Sequence, residues 1–119
     1  MLMDVERESA APRLVVTVPG PDLDLATADA LRSRFSALRP SDRDTVVVVD
    51  LSAVTFLDCA GLGPLMGARA RFGPCLLLRG VRPKVWRLIV LAAVDGLFTL
   101  EDDARPADDA RSGYGIRSS

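Results

Sequence analysis

The residues best suited to take part in chemistry form one short stretch near the middle of the 119-residue chain, Asp58-Cys59-Ala60-Gly61-Leu62-Gly63. A thiol beside a carboxylate precedes a glycine that predicts the start of a helix. Free amide hydrogens and the positive end of the dipole at such a start favour anions. This stretch is therefore the best candidate for a modified residue or for contact with a partner.

Cys59 itself has two interpretations. A helix N-terminus favours the reactive thiolate form of a cysteine, which would make Cys59 a redox sensor, although the adjacent carboxylate of Asp58 works against this. Small thiols are also common as plain packing residues, which would make Cys59 inert. We favour the inert interpretation and leave the sensor open.

Catalysis and metal binding find little support in the composition. The chain has no histidine, which removes the commonest general base, and no serine or cysteine has a base at recognisable spacing. Cys59 and Cys75 provide two thiols, whereas a zinc site needs four ligands, or three and a water. We therefore expect a protein that is not an enzyme and that binds no metal or cofactor.

Three glycines, Gly61, Gly63 and Gly67, come within one residue of the dinucleotide-binding pattern. That pattern needs its glycines directly after a strand, whereas ten residues separate Asp50 from Gly61. Glycines for a helix start and for close packing are the favoured explanation.

Charge and hydrophobicity exclude two classes of partner. Fifteen basic and sixteen acidic residues give a net charge of −1, and no concentrated basic face indicates nucleic-acid binding. No apolar run reaches the roughly 18 residues of a membrane helix, and the N-terminus lacks the layout of a signal peptide. We expect a cytoplasmic protein without direct membrane insertion. Arginine supplies nearly all of the basic residues, a bias that we attribute to a GC-rich bacterial genome.

The elements that must position Asp58 and Cys59 alternate between strands and helices. Apolar, mostly β-branched runs predict three strands, at 14–18, 45–49 and 75–78. Apolar residues at helical spacing predict three helices, from Asp24, the cap, to Pro40, from about Gly61 to Phe72, and from Pro83 to Gly96. Weaker strands are expected at 1–7 and 97–100. This alternation is typical of a single α/β domain.

The chain length suits one compact domain. From Glu101 onward, charged residues, serine and glycine dominate and the apolar periodicity stops. We expect the domain to span residues 1–100 and residues 101–119 to form a flexible C-terminal tail. Trp86 on the third helix is either a partner anchor or a core residue.

The stretch from Asp50 to Leu65 resembles the signature of STAS domains, the family of sulfate transporters and anti-sigma-factor antagonists: D-L-S-x-V-x-F-[ML]-D-S-[ST]-G-L-G-x-L. It departs from that signature at Cys59 and Ala60. Three further stretches agree, namely Leu23-Asp24 with Thr27-Ala28, Pro83-Lys84-Val85, and Gly96-Leu97-Phe98. The resemblance covers residues 12–100 and implies a mixed β-sheet with three to four helices packed mainly on one face.

The resemblance also implies a function, that of an anti-sigma factor antagonist. Such a protein binds an anti-sigma factor, often a serine kinase, and so promotes sigma-dependent transcription. The kinase phosphorylates the serine after the loop aspartate, and the added negative charge releases the complex. Cys59 takes that position here, so the usual switch is expected to be absent. The partner-binding residues implied by the match are Asp24, Asp58, Cys59, Ala60, Gly61, Leu62 and Gly63.

Another function in the same family stays open. The domain could be a structural STAS subunit, either of a stress-signalling assembly or of a lipid-transport ABC complex. Neighbouring genes would distinguish these, because an adjacent permease and ATPase favour transport. A homodimer is also left open.

Overall fold

The structure is a computed structural model that describes residues 4–8, 13–40 and 45–101. Its strands are β1 (Asp4–Glu8), β2 (Arg13–Thr17), β3 (Asp22–Leu23), β4 (Val46–Asp50), β5 (Phe56–Leu57), β6 (Leu76–Arg79) and β7 (Thr99–Leu100). Its helices are α1 (Leu25–Ala37), α2 (Cys59–Phe72) and α3 (Pro83–Leu91). The tail expected at 101–119 lies outside the described residues apart from Glu101.

Five strands form the main sheet in the order β1-β2-β4-β6-β7. The first pair is antiparallel, and β2, β4, β6 and β7 run parallel to one another. Register places Val16 beside Val49, and Val49 beside Leu78. The expected mixed sheet is confirmed.

One hydrophobic core lies between this sheet and the helices. Side chains alternate between the two faces of a strand, and those of Val16, Val49 and Leu78 face this core. All three helices contribute to it, with the buried residues Leu31, Phe35, Leu62, Leu65, Ala68, Val85, Trp86 and Ile89. The expectation of helices on one face is therefore confirmed. Trp86 is 1% exposed and belongs to the core, so it is not a partner anchor.

The opposite face of the sheet carries the buried Val15 and Val48 and, beside them, charged side chains. Arg13 and Arg79 alternate with the core-facing Leu14 and Leu78, and both bind Glu101 at the end of β7. The nearest distances are 2.7 Å from Arg13 Nη2 and 2.6 Å from Arg79 Nε to the carboxylate. The hydrogen bond from Arg79 holds the pKa of Glu101 below its ordinary value. These contacts connect the ends of β2, β6 and β7.

An arginine joins the far ends of the first two helices. Arg71 of α2 donates to the carbonyl oxygens of Phe35 and Leu38, the latter at 2.9 Å, where α1 ends. Its guanidinium carbon lies 4.7 Å from the centre of the Phe72 ring. Because the last carbonyl groups of a helix lack internal partners, this contact stabilises the end of α1 and holds it against α2.

The third helix ends earlier than its sequence pattern predicts. It stops at Leu91 rather than Gly96, which lies in a short 3₁₀ turn at Asp95–Leu97. The amides of Ala93 and Val94 donate back to the carbonyls of Val90 and Ile89, an arrangement known as a Schellman motif. Ala93 has a φ of 62° to make this reversal possible.

We expect Ala93→Gly to raise the free energy of unfolding by about 0.5 kcal/mol. A left-handed conformation costs an alanine about 1 kcal/mol, and the greater freedom of glycine in the unfolded chain offsets part of this gain. Ala92→Gly is the matched control, because Ala92 has an ordinary φ of −81° and should lose stability. Urea denaturation measures both variants, and a loss of stability in Ala93→Gly would contradict the argument.

Candidate partner-binding site

Two very short parallel strands bring the starts of α1 and α2 together. In this second sheet, Leu23 of β3 pairs with Leu57 of β5. The next residue on each strand is an aspartate, Asp24 or Asp58, and each is the N-cap of the helix that follows. The two helices therefore begin side by side and point the same way.

Both aspartates use their carboxylates to cap amides. Asp24 Oδ1 accepts from the backbone nitrogen and the hydroxyl of Thr27, both at 3.2 Å. Asp58 Oδ1 accepts from the backbone nitrogen of Gly61 at 3.1 Å. The expected capping role of Asp24 is confirmed. The cap at Asp58 makes Cys59 the first residue of α2, two positions before the helix start expected at Gly61.

Gly61 permits the close approach of these elements. A β-carbon at this position would lie 2.4 Å from the carbonyl oxygen of Leu23 and 2.8 Å from side-chain carbons of Leu23 and Leu57. The explanation of this glycine by close packing is therefore confirmed. Gly63 and Gly67 differ, since both are exposed and, among the described residues, no atom outside the local backbone of α2 lies within 4 Å of a β-carbon added at Gly67. Close packing within the chain is the wrong explanation for Gly67.

The predicted site residues fall into two groups by exposure. Cys59 and Gly63 are exposed, and Asp24, Asp58 and Ala60 are half-buried, so they contribute to the protein surface at the amino ends of the two helices. Gly61 and Leu62 are buried beneath it. These two residues position the surface and are not available to contact a partner directly.

Two apolar residues of this surface were missed at the level of sequence. Leu25, the first residue of α1, is 67% exposed, and Phe56 of β5 is 45% exposed. Strand alternation against the buried Leu57 would have indicated Phe56. Leu25 lies on the same side of α1 as the polar Asp29 and Arg32, and away from the buried Leu31. This helical spacing would have indicated that Leu25 is exposed.

Other kinds of site are not evident in the described part of the chain. Residues 4–8, 13–40 and 45–101 contain no group of three or more side chains that could hold a metal ion. Within the same residues, no helix has the length and apolar character needed to cross a membrane.

We expect the two caps to contribute similarly to stability. Asp24→Ala and Asp58→Ala should each lower the free energy of unfolding by about 1 kcal/mol, while the Asn variants should retain most of it, because asparagine also caps helices. Asp29→Ala is the control, since Asp29 only forms an exposed ion pair with Arg32, which contributes little. Thermal unfolding at one pH measures all five variants. An asparagine loss as large as the alanine loss would refute the capping role.

A family comparison agrees with this geometry. The family described as "Mlab, STAS domain" matches residues 3–101 of the chain. A search of curated proteins gave no match.

Solved structures with the same fold include known regulators. An anti-sigma factor antagonist from Mycobacterium paratuberculosis is 32% identical, with a TM-score of 0.64, and the match covers 92% of this chain and 91% of that one. An anti-sigma-factor antagonist (STAS) domain protein from Planctomyces limnophilus is 18% identical, with a TM-score of 0.73, covering 91% and 92%. A sulfate transporter family protein from Wolinella succinogenes is 19% identical, with a TM-score of 0.58, covering 76% and 79%. The last two similarities support the fold alone.

The family match spans every described residue, and the antagonist from Mycobacterium paratuberculosis is 32% identical over 92% of the chain. The mixed α/β fold, with three helices and a largely parallel sheet, matches that of the STAS domain protein from Planctomyces limnophilus. The chain belongs to the STAS domain family.

Proposed function

We propose that this domain is an anti-sigma factor antagonist that acts in the bacterial cytoplasm. It binds an anti-sigma factor of the serine-kinase type and so frees a sigma factor for transcription. The 32% identity to an antagonist over almost the full length supports this role above the others open to STAS domains. These domains are regulatory or binding modules, and we propose no catalytic activity for this one.

The identity to that antagonist carries the proposed role, and the place of Cys59 carries the further proposal that the usual phosphorylation switch is absent. Cys59 is exposed, it is the first residue of α2, and Asp58 caps the helix directly before it. The family resemblance assigns the regulatory phosphoserine to this position. A thiol there is not a substrate for a serine kinase, so the antagonist stays in its binding form when the kinase is active.

The kinase-type anti-sigma factor encoded nearest to this gene provides the test. Wild-type protein should form a stoichiometric complex with it in the presence of a nucleoside triphosphate and remain unmodified at Cys59. Cys59→Ser should form the same complex, become phosphorylated on the introduced serine, and then dissociate. Mass spectrometry detects the added phosphate. Cys75→Ser is the control and should remain unmodified. The absence of any complex with wild-type protein would rule out the proposed function.

One finding favours a second function. The matching family is described by the name "Mlab", which fits the role of a STAS subunit in a lipid-transport ABC complex. In that role the same surface would contact an ATPase rather than a kinase. Purification of the tagged protein from its own cells distinguishes the two, because the transport role requires an ATPase and a permease in the eluate.

The homodimer stays a prediction, which analytical ultracentrifugation tests.

A further inference from the structure

Four consecutive apolar residues are exposed where α3 ends. Leu91 is 75% exposed, the largest value for a large apolar side chain in the described part of the chain, and Val90 is 40% exposed. Ala92 and Ala93, which follow, are exposed as well. We define the α3 end as these four residues. An apolar run of this length on the surface is unfavourable in water unless it serves a function.

Ala93 adds a conformational cost to the α3 end. Its φ of 62° lies in the left-handed region, where glycine is the usual residue after a helix and alanine is disfavoured. Ala93 is exposed, so burial within this chain does not offset the cost. A partner that buries the methyl group of Ala93 would explain why an alanine stands here.

The solvent-facing side of α3 changes character along its length. Lys84, Arg87 and Leu91 share this side, because residues three, four and seven apart lie on one helical face, and all three are exposed. The first half of this side is therefore basic and its end is apolar. The half-buried Asp95 follows the α3 end and adds a carboxylate near the negative end of the helix dipole.

This polarity makes α3 complementary to a second copy of itself. In an antiparallel pair the two α3 ends meet at the centre, where Leu91 of one copy contacts Leu91 of the other. Lys84 and Arg87 of each copy then lie toward the carboxyl end of the other α3, where the dipole and Asp95 attract cations. One patch serves both copies, as a two-fold symmetric contact requires.

The size of this surface fits a reversible contact. Helix α3 has nine residues and is about 14 Å long. Two helices of this length offer less than the roughly 1,200 Å² at which standard specific interfaces begin. We therefore expect a dimer that dissociates in the micromolar range of concentration.

We infer that the α3 end is a homodimer interface, in which two copies of α3 pack antiparallel about a two-fold axis near Leu91. The inference goes beyond the proposed function and does not depend on it. Helices that connect parallel strands run back across the sheet, so α3 ends at the edge opposite to the starts of α1 and α2. Cys59 therefore stays accessible in both copies of the dimer.

Sedimentation velocity of the full-length chain, over two decades of concentration around about 10 µM, tests the dimer. The wild-type chain should shift from monomer to dimer. Leu91→Asp should raise the dissociation constant at least about tenfold, because the interface would bury two unpaired carboxylates. Leu25→Asp is the matched control, since Leu25 is 67% exposed at the start of α1, and it should dimerise like the wild type.

Two results of this experiment would overturn the inference. A wild-type chain that stays monomeric throughout would show that a different protein covers the α3 end. Loss of the dimer in Leu25→Asp, with the dimer intact in Leu91→Asp, would place the contact at the opposite edge of the domain.

Chemical cross-linking locates the symmetry axis. Leu91→Cys, in a chain that also carries Cys59→Ser and Cys75→Ser, should form a covalent dimer with a short bis-maleimide, because a residue near a two-fold axis meets its own copy. Leu25→Cys in the same background should form none. A Leu91→Cys chain that sediments as a dimer but does not cross-link would contradict the proposed axis.

Ala93→Gly separates the interface from internal stability. This variant should raise the urea midpoint of the monomer, because glycine adopts a φ of 62° without strain. It should also weaken the dimer about tenfold, since each copy loses one buried methyl group. An Ala93→Gly chain that is more stable and dimerises as tightly as the wild type would contradict a contact at the α3 end.

Discussion

Gly61→Ala is expected to lower the free energy of unfolding by about 3 kcal/mol, the upper part of the range for overpacking. The new methyl group would lie 2.4 Å from the carbonyl oxygen of Leu23. A backbone oxygen cannot rotate away as a side chain can, so β3 or the first turn of α2 must shift. That shift would disturb the pairing of Leu23 with Leu57 and both helix caps. Urea denaturation monitored by circular dichroism measures the loss.

The matched control is the same substitution two turns along the same helix. In the described part of the chain, the methyl group of Gly67→Ala meets no atom outside the local backbone of α2, so this variant should raise the free energy of unfolding by about 1 kcal/mol through helix propensity alone. The two variants should therefore move in opposite directions. A stabilised Gly61→Ala protein would show that α2 and β3 are not in close contact.

Cys59→Asp is expected to weaken the complex with the anti-sigma factor at least about tenfold, because association would remove the hydration of a new carboxylate at the contact surface. The new carboxylate would lie beside Asp58 and near Asp24 at the mouths of both helices. It imitates part of the charge that a phosphoserine would add. Isothermal titration calorimetry against the same partner measures the effect.

Stability provides an internal check on this variant. A carboxylate in the first turn of a helix interacts favourably with the dipole, so Cys59→Asp should unfold no earlier than the wild type. Weaker binding would then reflect charge and not unfolding. Leu91→Asp, at a residue 75% exposed at the end of α3, adds the same charge elsewhere and should bind normally. Equal affinity of Cys59→Asp and wild type would show that this position lies outside the interface.

The main elements of the fold were predictable because their signals are local. The apolar run 45–49 and the spacing of Leu31 and Phe35 depend only on near neighbours in the chain, and strand β4 and helix α1 occur where expected. Asp24 was recognised as a cap for the same reason, since its hydrogen bond reaches only three residues ahead.

Features that depend on distant parts of the chain were not predictable in this way. The two-residue strands β3 and β5 form only because Leu23 and Leu57 meet across the domain. Their pairing sets the start of α2 at Cys59 and the exposure of Leu25. The end of α3 at Leu91 likewise depends on a reversal at Ala93, a residue type that rarely adopts a positive φ.

The position of the candidate site was predictable from physical chemistry, whereas its partner was not. Free amides and the helix dipole indicated a helix N-terminus that favours an anion or a partner, and the structure places Asp58 and Cys59 at the N-terminus of α2. The idea of an anti-sigma factor as the partner came from the family resemblance. Neither kind of reasoning identified Leu25 or Phe56, because isolated apolar residues usually signify the core.

The contact of Arg71 with the end of α1 has a consequence for the mechanics of recognition. The paired strands join the two helices at one end, and this arginine joins them at the other. In the proposed complex, the anti-sigma factor would meet two helices that are already fixed to one another at both ends, and little conformational entropy would be lost on association. Recognition should follow a lock-and-key course, with the backbone of this domain the same before and after docking.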